Sequence, residues 1–320
     1  MTAGSDRDRC TVLVTGAAGF IGSALCERLR SAGHRVVGYD NLSRGRRESL
    51  PPGVALVEGD VRDAARFAGT MSAWKPQCVV HLAAMHFIPD CIAHPRETMD
   101  VNVEGTRCVL EACRSKPVRH LIFASSAAVY APTGRPCQED STPLGPLEVY
   151  GESKLAAENL MAAFHAETGV SVSTLRLFNA IGRNETNPHV VPHIFESLQT
   201  SDVIRLGNVE PRRDYIDTRD VAEAIVSVAD SPRGMDVFNV GTGAAYAVKD
   251  IVEMLRRILG RPIAVVEDSL RVRASERMLL VADTDKIRRA VQWTSRISLE
   301  DTLVDLVAAY GLQPQPHSPA

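Results

Sequence analysis

No uninterrupted apolar run in this 320-residue chain approaches the roughly 20 residues that cross a bilayer, so no transmembrane helix is expected. A signal peptide's apolar region is missing too: Met1 to Arg9 is polar and charged, and the run from Cys10 to Val14 is short, which reads as a frayed tail on a cytoplasmic protein. Nor is there an excess of one charge sign. The formal net charge is -3 with basic residues scattered, which leaves no footprint for nucleic acid or an anionic membrane and points to small-molecule and protein partners. The seven cysteines are odd in number and include no C-x-x-C pair, which suits reduced thiols in cytosol better than a disulfide framework, and no metal site is expected. What the chain does have, 45% hydrophobic and 23% charged residues, can bury a full core and excludes disordered and fibrous classes.

The first half alternates short β-branched runs with longer helical stretches. Strands are expected at Thr11–Thr15, Arg35–Tyr39, Ala55–Glu58, Cys78–His81, His120–Ala124 and Ser173–Phe178, with helices near 20–32, 63–73, 95–115 and 150–168 between them. Repeated βαβ units build a doubly wound parallel sheet, a Rossmann α/β fold with right-handed crossovers. Past Phe178 the pattern turns to loops and a short helix near 191–200, and then a helix near 218–230 and a strand at Val237–Val240 return to the first domain. The expected division is residues 1–178 and 214–242 for the dinucleotide-binding domain. Residues 179–213 and 243–320 form a smaller, discontinuous mixed α/β substrate-binding domain.

The first expected strand runs straight into Gly16-Ala17-Ala18-Gly19-Phe20-Ile21-Gly22 and then a helical pattern, the setting a dinucleotide loop requires. Gly16 allows the tight turn, Gly19 the approach of a pyrophosphate, and Gly22 close helix–strand packing, with the anion on the helix N-terminal amides. Asp40 stands at the end of the second strand, 18 residues beyond Gly22. A carboxylate there accepts both hydroxyls of the adenosine ribose and repels a 2′-phosphate, which favours NAD over NADP. Arg44, Arg46 and Arg47 follow closely and would soften that repulsion if turned toward it.

Tyr150-Gly-Glu-Ser-Lys154 opens a helix, and the four-residue spacing puts phenol and ammonium on one face. A neighbouring cation favours the phenolate, so Lys154 together with a positive nicotinamide ring is expected to bring Tyr150 far below its ordinary pKa and make it a base near neutral pH. The strand from His120 ends in Ser125-Ser126, which sets a hydroxyl at the carboxyl end of the sheet, where ligands bind in such folds.

With these parts together, the chain resembles the extended short-chain dehydrogenase/reductases, the NAD-dependent epimerase/dehydratase family, and among them the nucleotide-sugar 4-epimerases. The likeness runs from about residue 10 to 311. It rests on Val14 to Gly22, Asp40-Asn41-Leu42-Ser43, Gly59-Asp60-Val61, His81-Leu82-Ala83-Ala84, Asn102 to Thr106, Ser125 to Tyr130, Leu175 to Asn179, Arg213 to Ile216 and Phe238 to Gly243. It implies that Phe20, Ile21, Asn41, Ser43, Asp60, Val61, Leu82, Ala83, Ala84, Asn102 and Phe178 line NAD together with the glycines and Asp40. It also implies that Asn179, Asn187, Arg213 and Arg273 hold a nucleotide diphosphate, for which guanidinium forks are suited.

Departures narrow the reaction. Where the dehydratases of this family carry an Asp-Glu pair the chain has Ala127 and Ala128, so elimination lacks its acid and base. His86 replaces a lysine after the fourth strand, and Leu280 replaces a tyrosine that restricts the sugar pocket. What remains, Ser126, Tyr150 and Lys154, suffices for an epimerase working at carbon 4 through a 4-keto sugar, on a UDP-sugar or a related nucleotide sugar. A net dehydrogenase, a ketosugar reductase or a carbon-2 epimerase would use the same residues, and an NAD-sensing binding module is the non-enzymatic rival. The resemblance also implies a homodimer through the helices near 95–115 and 150–168.

Overall fold

A computed structural model describes residues 10–116, 118–268 and 277–314. In chain order come β1 (Thr11–Thr15), α1 (Phe20–Ser31), β2 (Arg35–Asp40), β3 (Ala55–Glu58), α2 (Ala64–Trp74) and β4 (Cys78–His81). They are followed by α3 (Ile88–Ala93), α4 (Pro95–Met99), α5 (Gly105–Ser115), β5 (His120–Ser126), α6 (Val149–Thr168) and β6 (Ser171–Leu177). The second half holds β7 (Asn179–Ile181), α7 (Val190–Leu198), β8 (Val203–Leu206), β9 (Arg212–Arg213), β10 (Tyr215–Asp217), α8 (Thr218–Ala229) and β11 (Met235–Val240). Last come β12 (Tyr246–Ala247), α9 (Val248–Leu259), β13 (Ala264–Glu267), β14 (Leu279–Leu280), α10 (Asp285–Val291) and α11 (Leu299–Ala309).

Seven strands form one sheet in the order β11-β6-β5-β4-β1-β2-β3, and every pair in it is parallel. The apolar runs of β1 and β4 follow from this, since a parallel sheet is covered on both faces. Leu25 and Leu29 of α1 pack with Val221 and Ile225 of α8 on one face, while Phe67, Met71, Val109, Met161 and Phe164 cover the other. The strand order reverses between β1 and β4, so a crevice opens at their carboxyl ends.

A separate core gathers Ile194, Phe195, Ile251, Leu255 and Leu303 from α7, α9 and α11. Ile287 of α10 and Trp293 pack instead with the sheet's core. The two parts are laced by the fully buried Asp214, whose carboxylate accepts from the amides of Thr242 (2.8 Å), Gly243 (2.9 Å) and Ala282 (3.1 Å).

Two expected elements differ. β5 runs on through Ser125 and Ser126, so both serines belong to the strand and pair with Arg176 and Leu177. The expected helix 95–115 is interrupted by a π-helical turn at Asp100–Glu104 between α4 and α5. That turn carries Asn102, whose buried carboxamide accepts from the Met85 amide (2.7 Å) and donates to the Met85 carbonyl (2.9 Å) and to Ser153 (2.9 Å). A single π turn re-aims one side chain at a functional loop, which uniform α periodicity hides.

Candidate active site

Gly16 leaves β1 at φ +69°, and a Cβ there would stand 2.9 Å from the Ala83 amide nitrogen. A Cβ on Gly22 would come within 2.0 Å of the Gly16 carbonyl oxygen, so only glycine lets α1 start against the loop. α1 begins after Gly19 with no side-chain cap and no acidic residue in its first turn. Its first amides are therefore left for an anion. Asp40 is buried at the end of β2, accepting from the amides of Ala18 (2.9 Å) and Leu42 (2.8 Å); burial raises its pKa and these two hydrogen bonds oppose the rise. Arg44 pairs with Asp90 and Arg47 with Glu58, so neither guanidinium is turned on Asp40. Asp60 is held as a carboxylate well below the usual range, mainly by Arg62, with Asn41 donating at 3.0 Å.

On the far side of the glycine loop, the fully buried His81 bridges Thr15 (2.7 Å) and Thr106 (3.0 Å). Burial, and to a lesser degree Lys154, lowers its pKa to about 3, so the ring is neutral. Thr15 in turn accepts from the amides of Leu82 and Ala83, each at 3.2 Å, which fixes the loop facing Gly16.

Ser126 and Tyr150 meet at the carboxyl end of β5. The Ser126 oxygen accepts from the Ala128 amide (3.1 Å). Burial pushes the Tyr150 phenol up to about 12, against the hydrogen bond with Ser126. The expected depression included the positive nicotinamide ring, and this value belongs to the protein alone. Lys154 is 3% exposed, and its ammonium donates to the Ala124 carbonyl (2.8 Å) and lies 5.0 Å above the Phe123 ring. Burial lowers its pKa to about 8, opposed by Cys91 and Glu158. In the protein alone, the loss of solvation is what sets the direction of the shift at Tyr150.

Behind this trio lies a network absent from the sequence reading. Arg176 on β6 makes a two-pronged pair with Glu158 on α6 at 2.8 and 3.0 Å, both side chains buried, and donates to the Tyr130 hydroxyl (3.0 Å). Tyr130 donates to Asn239 (2.7 Å), and Ser125 donates to Glu158. The pair ties α6 to the sheet one turn beyond Lys154.

One cavity of about 1450 Å³ runs past all of this. On it lie Gly16, Gly19, Phe20, Ile21, Gly22, Asp40, Asn41, Ser43, Asp60, Val61, Leu82, Ala83, Ala84, Ser126, Tyr150, Lys154 and Phe178. Asn179, Asn187 and Arg213 lie on it as well. Asn102 stands behind the wall through Met85, and Arg273 lies outside the described residues. The wall also holds residues not singled out as ligands: Arg277, buried and donating to the carbonyls of Ala128 (3.0 Å) and Tyr130 (2.9 Å), and Glu185 and His189 opposite His86. No local pattern marks these positions, since they converge only through the fold.

Comparison with known proteins agrees with this geometry. Residues 12–241 match the NAD dependent epimerase/dehydratase family. A UDP-glucose 4-epimerase of Corynebacterium glutamicum is 33% identical over 312 residues, 92% of this chain and 93% of that protein. Among solved structures, UDP-glucose 4-epimerase of Brucella ovis in complex with NAD superposes with a TM-score of 0.87 at 30% identity, covering 95% of this chain and 99% of that one. UDP-glucose 4-epimerase of Thermotoga maritima with UDP-glucose gives a TM-score of 0.88 at 26% identity, covering 94% and 98%. With a seven-stranded parallel sheet, a glycine loop at the switch point and a half-buried tyrosine above a buried lysine beside it, the chain belongs to the NAD-dependent epimerase/dehydratase family.

Proposed function

We propose that the chain inverts carbon 4 of a nucleotide sugar, a UDP-sugar first among candidates, with NAD retained through the cycle. The observation that carries this reading is the trio at the end of β5: Tyr150 beside Ser126, with Lys154 buried one helical turn on and Ala127 and Ala128 next to them. That set can take and return one proton at a sugar hydroxyl, and it holds no acid–base pair for eliminating water. NAD fits the residues present: the uncapped start of α1 faces the glycine loop, and Asp40 has lone pairs for a ribose. We read residues 1–178 and 214–242 as its domain, and 179–213 with 243–320 as the part that grips the nucleotide.

Bound NAD supplies a hydride acceptor and donor at carbon 4 and a positive ring charge. Tyr150, neutral when the protein is alone, becomes the base once positive charge gathers at its phenol, because an opposite charge within a few ångströms favours the ionised form. It then takes the proton of the 4-hydroxyl while Ser126 donates to the same oxygen. Lys154 stays protonated and orients the cofactor ribose. The 4-keto sugar turns over about its phosphate link, so that the hydride would return to the opposite face of carbon 4 while Tyr150 returns the proton to the 4-oxygen. Asn179, Asn187 and Arg213 hold the diphosphate meanwhile.

Incubation with a panel of UDP-hexoses, N-acetylhexosamines, pentoses and uronates tests the reading, with chromatography of products and absorbance of the cofactor. Carbon-4 epimers with no accumulated NADH are expected. Carbon-2 epimers, stoichiometric NADH, or binding without turnover would overturn it.

We further propose a cytoplasmic homodimer through α4, α5 and α6. Of the apolar positions on these helices, Val109, Ala112, Ala157 and Met161 are used inside the chain. Val101, Cys108, Leu155, Ala156 and Leu160 are only half-buried and Ala163 is exposed, which leaves small and apolar side chains for a twofold contact. Sedimentation equilibrium decides this: the mass of one 34.7 kDa chain at every concentration would rule the dimer out.

A further inference from the structure

The wall opposite the glycine loop contains a group of side chains that proton and hydride transfer do not use. His86 follows β4, while Glu185 and His189 come from the loop that leads into α7. Nitrogen atoms of the two imidazoles and a carboxylate oxygen all lie within 4.8 Å of one another. Each of the three is an acceptor when the rings are neutral. Each neutral imidazole keeps its other ring nitrogen as an N–H donor, and the carboxamide of Asn187 adds a donor between the loops, its Nδ2 standing 3.2 Å from Glu185 Oε1 and 3.4 Å from His86 Nε2. The structure thus converges acceptors from two loops on one point and bridges them with a weak partial positive charge.

Glu185 makes the arrangement harder to explain without a cation. Its carboxylate lines the same cavity as Asn187 and Arg213, where a nucleotide's diphosphate is proposed to lie. Its hydrogen bonds come from Asn187, and no lysine or arginine among the described residues pairs with it. Arg44, the guanidinium on this side, is already paired with Asp90. A carboxylate facing a diphosphate repels it unless positive charge stands between them.

We propose that His86, Glu185 and His189 form a three-ligand site for a divalent transition-metal ion of the zinc class, open toward the cavity. Two imidazoles and one carboxylate suit zinc and its neighbours rather than magnesium or calcium, which take oxygen ligands. Zinc bonds of about 2.0–2.2 Å set tetrahedral ligand atoms about 3.4 Å apart, inside the 4.8 Å that bounds the present spacing. Three protein ligands leave a position open, as at zinc sites that bind exogenous groups. That position faces the cavity, and there a diphosphate oxygen of the nucleotide completes the shell. This second part rests on the nucleotide-sugar reading; the ion site does not.

Chelator-treated full-length protein titrated with ZnCl2 by calorimetry, without nucleotide, tests the site. One ion per chain is expected. His86→Ala and Glu185→Gln should each weaken uptake at least about tenfold, the lower range for losing a group that supports a metal site, with circular dichroism unchanged. Bound Co2+ should show visible absorption that these variants lose. No uptake, or uptake that His86→Ala, Glu185→Gln and His189→Ala leave unaltered, would overturn the site. For the open position, the affinities of UDP and uridine are compared with and without zinc, and about tenfold tightening is expected for UDP alone. UDP that binds equally well in both states would overturn the coordination and leave the nucleotide reading intact. UDP that binds in neither state would overturn both, whatever the zinc titration shows.

Discussion

The two walls of the cavity are built by different means. The glycine-loop wall draws on short stretches, Gly16 to Gly22, Asp40 to Ser43 and Asp60 to Val61, and most of its polar groups are backbone amides or side chains held by them. The opposite wall collects single side chains, among them His86, Asn187, Arg213 and Arg277, from loops far apart in the chain. A wall of backbone presents one geometry to one cofactor, whereas a wall of side chains can be changed position by position. Tyr150 stands at the seam between the two.

The largest effect should come at that seam. Tyr150→Phe is expected to lower turnover by about a hundredfold to ten-thousandfold, the range for a lost general base, while NAD and the nucleotide still bind their own walls. Steady-state assays beside fluorescence titrations check this; unchanged turnover would remove the base from the mechanism, and loss of either binding event would show that the walls are not independent.

Next in size is the support beneath the seam. Glu158→Leu leaves Arg176 buried with no counter-charge, and breaking such a pair costs about 3–5 kcal/mol in urea unfolding. The double change with Arg176→Met should recover much of that, because two matched apolar groups bury at little cost. Equal destabilisation by the single and the double change would mean that the pair shapes α6 rather than merely balancing charge.

On the glycine-loop wall, Asp40→Ala should raise the NAD dissociation constant by the value of hydrogen bonds to a charge, about 1.5–3 kcal/mol, and narrow the preference over NADP. Binding of the nucleotide sugar should not change. Equal affinity of the unaltered protein for both cofactors would instead assign the selection to the arginines that follow Asp40.

A further effect is a pH dependence carried by His81, which joins the loop beside Ala83 to the sheet. Its folded pKa, about 3, lies below the unfolded value of 6.5. Between those values the unfolded chain takes up the proton and the folded chain does not, so stability falls as pH drops through this window, by up to about 1.4 kcal/mol per pH unit. Urea melts across the window should show a slope to which His81, His86 and His120, all lowered by burial, contribute, and His81→Gln, neutral throughout, should reduce it by one such share. An unchanged slope in the variant would assign the acid limb to other groups.

Strands β1, β2 and β4 were legible almost to the residue because a doubly covered parallel strand is a short apolar run. The glycine loop was legible because steric exclusion at Gly16 and Gly22 is local. The helix expected over 95–115 concealed a π turn, since its residues keep helical spacing while the backbone shifts to direct Asn102 at Met85. Spacing placed Tyr150 and Lys154 on one helical face, yet not the burial that raises one pKa and lowers the other.

By itself the sequence determined the sheet, the cofactor loop, Asp40 and the tyrosine–lysine pair, because each depends on residues within one turn or one strand of each other. Only the tertiary structure decided the desolvation of Tyr150, the Glu158–Arg176 support and the meeting of His86 with Glu185 and His189. Desolvation and long-range convergence are set by what packs around a side chain, and about a hundred residues separate the two loops that bring those three together.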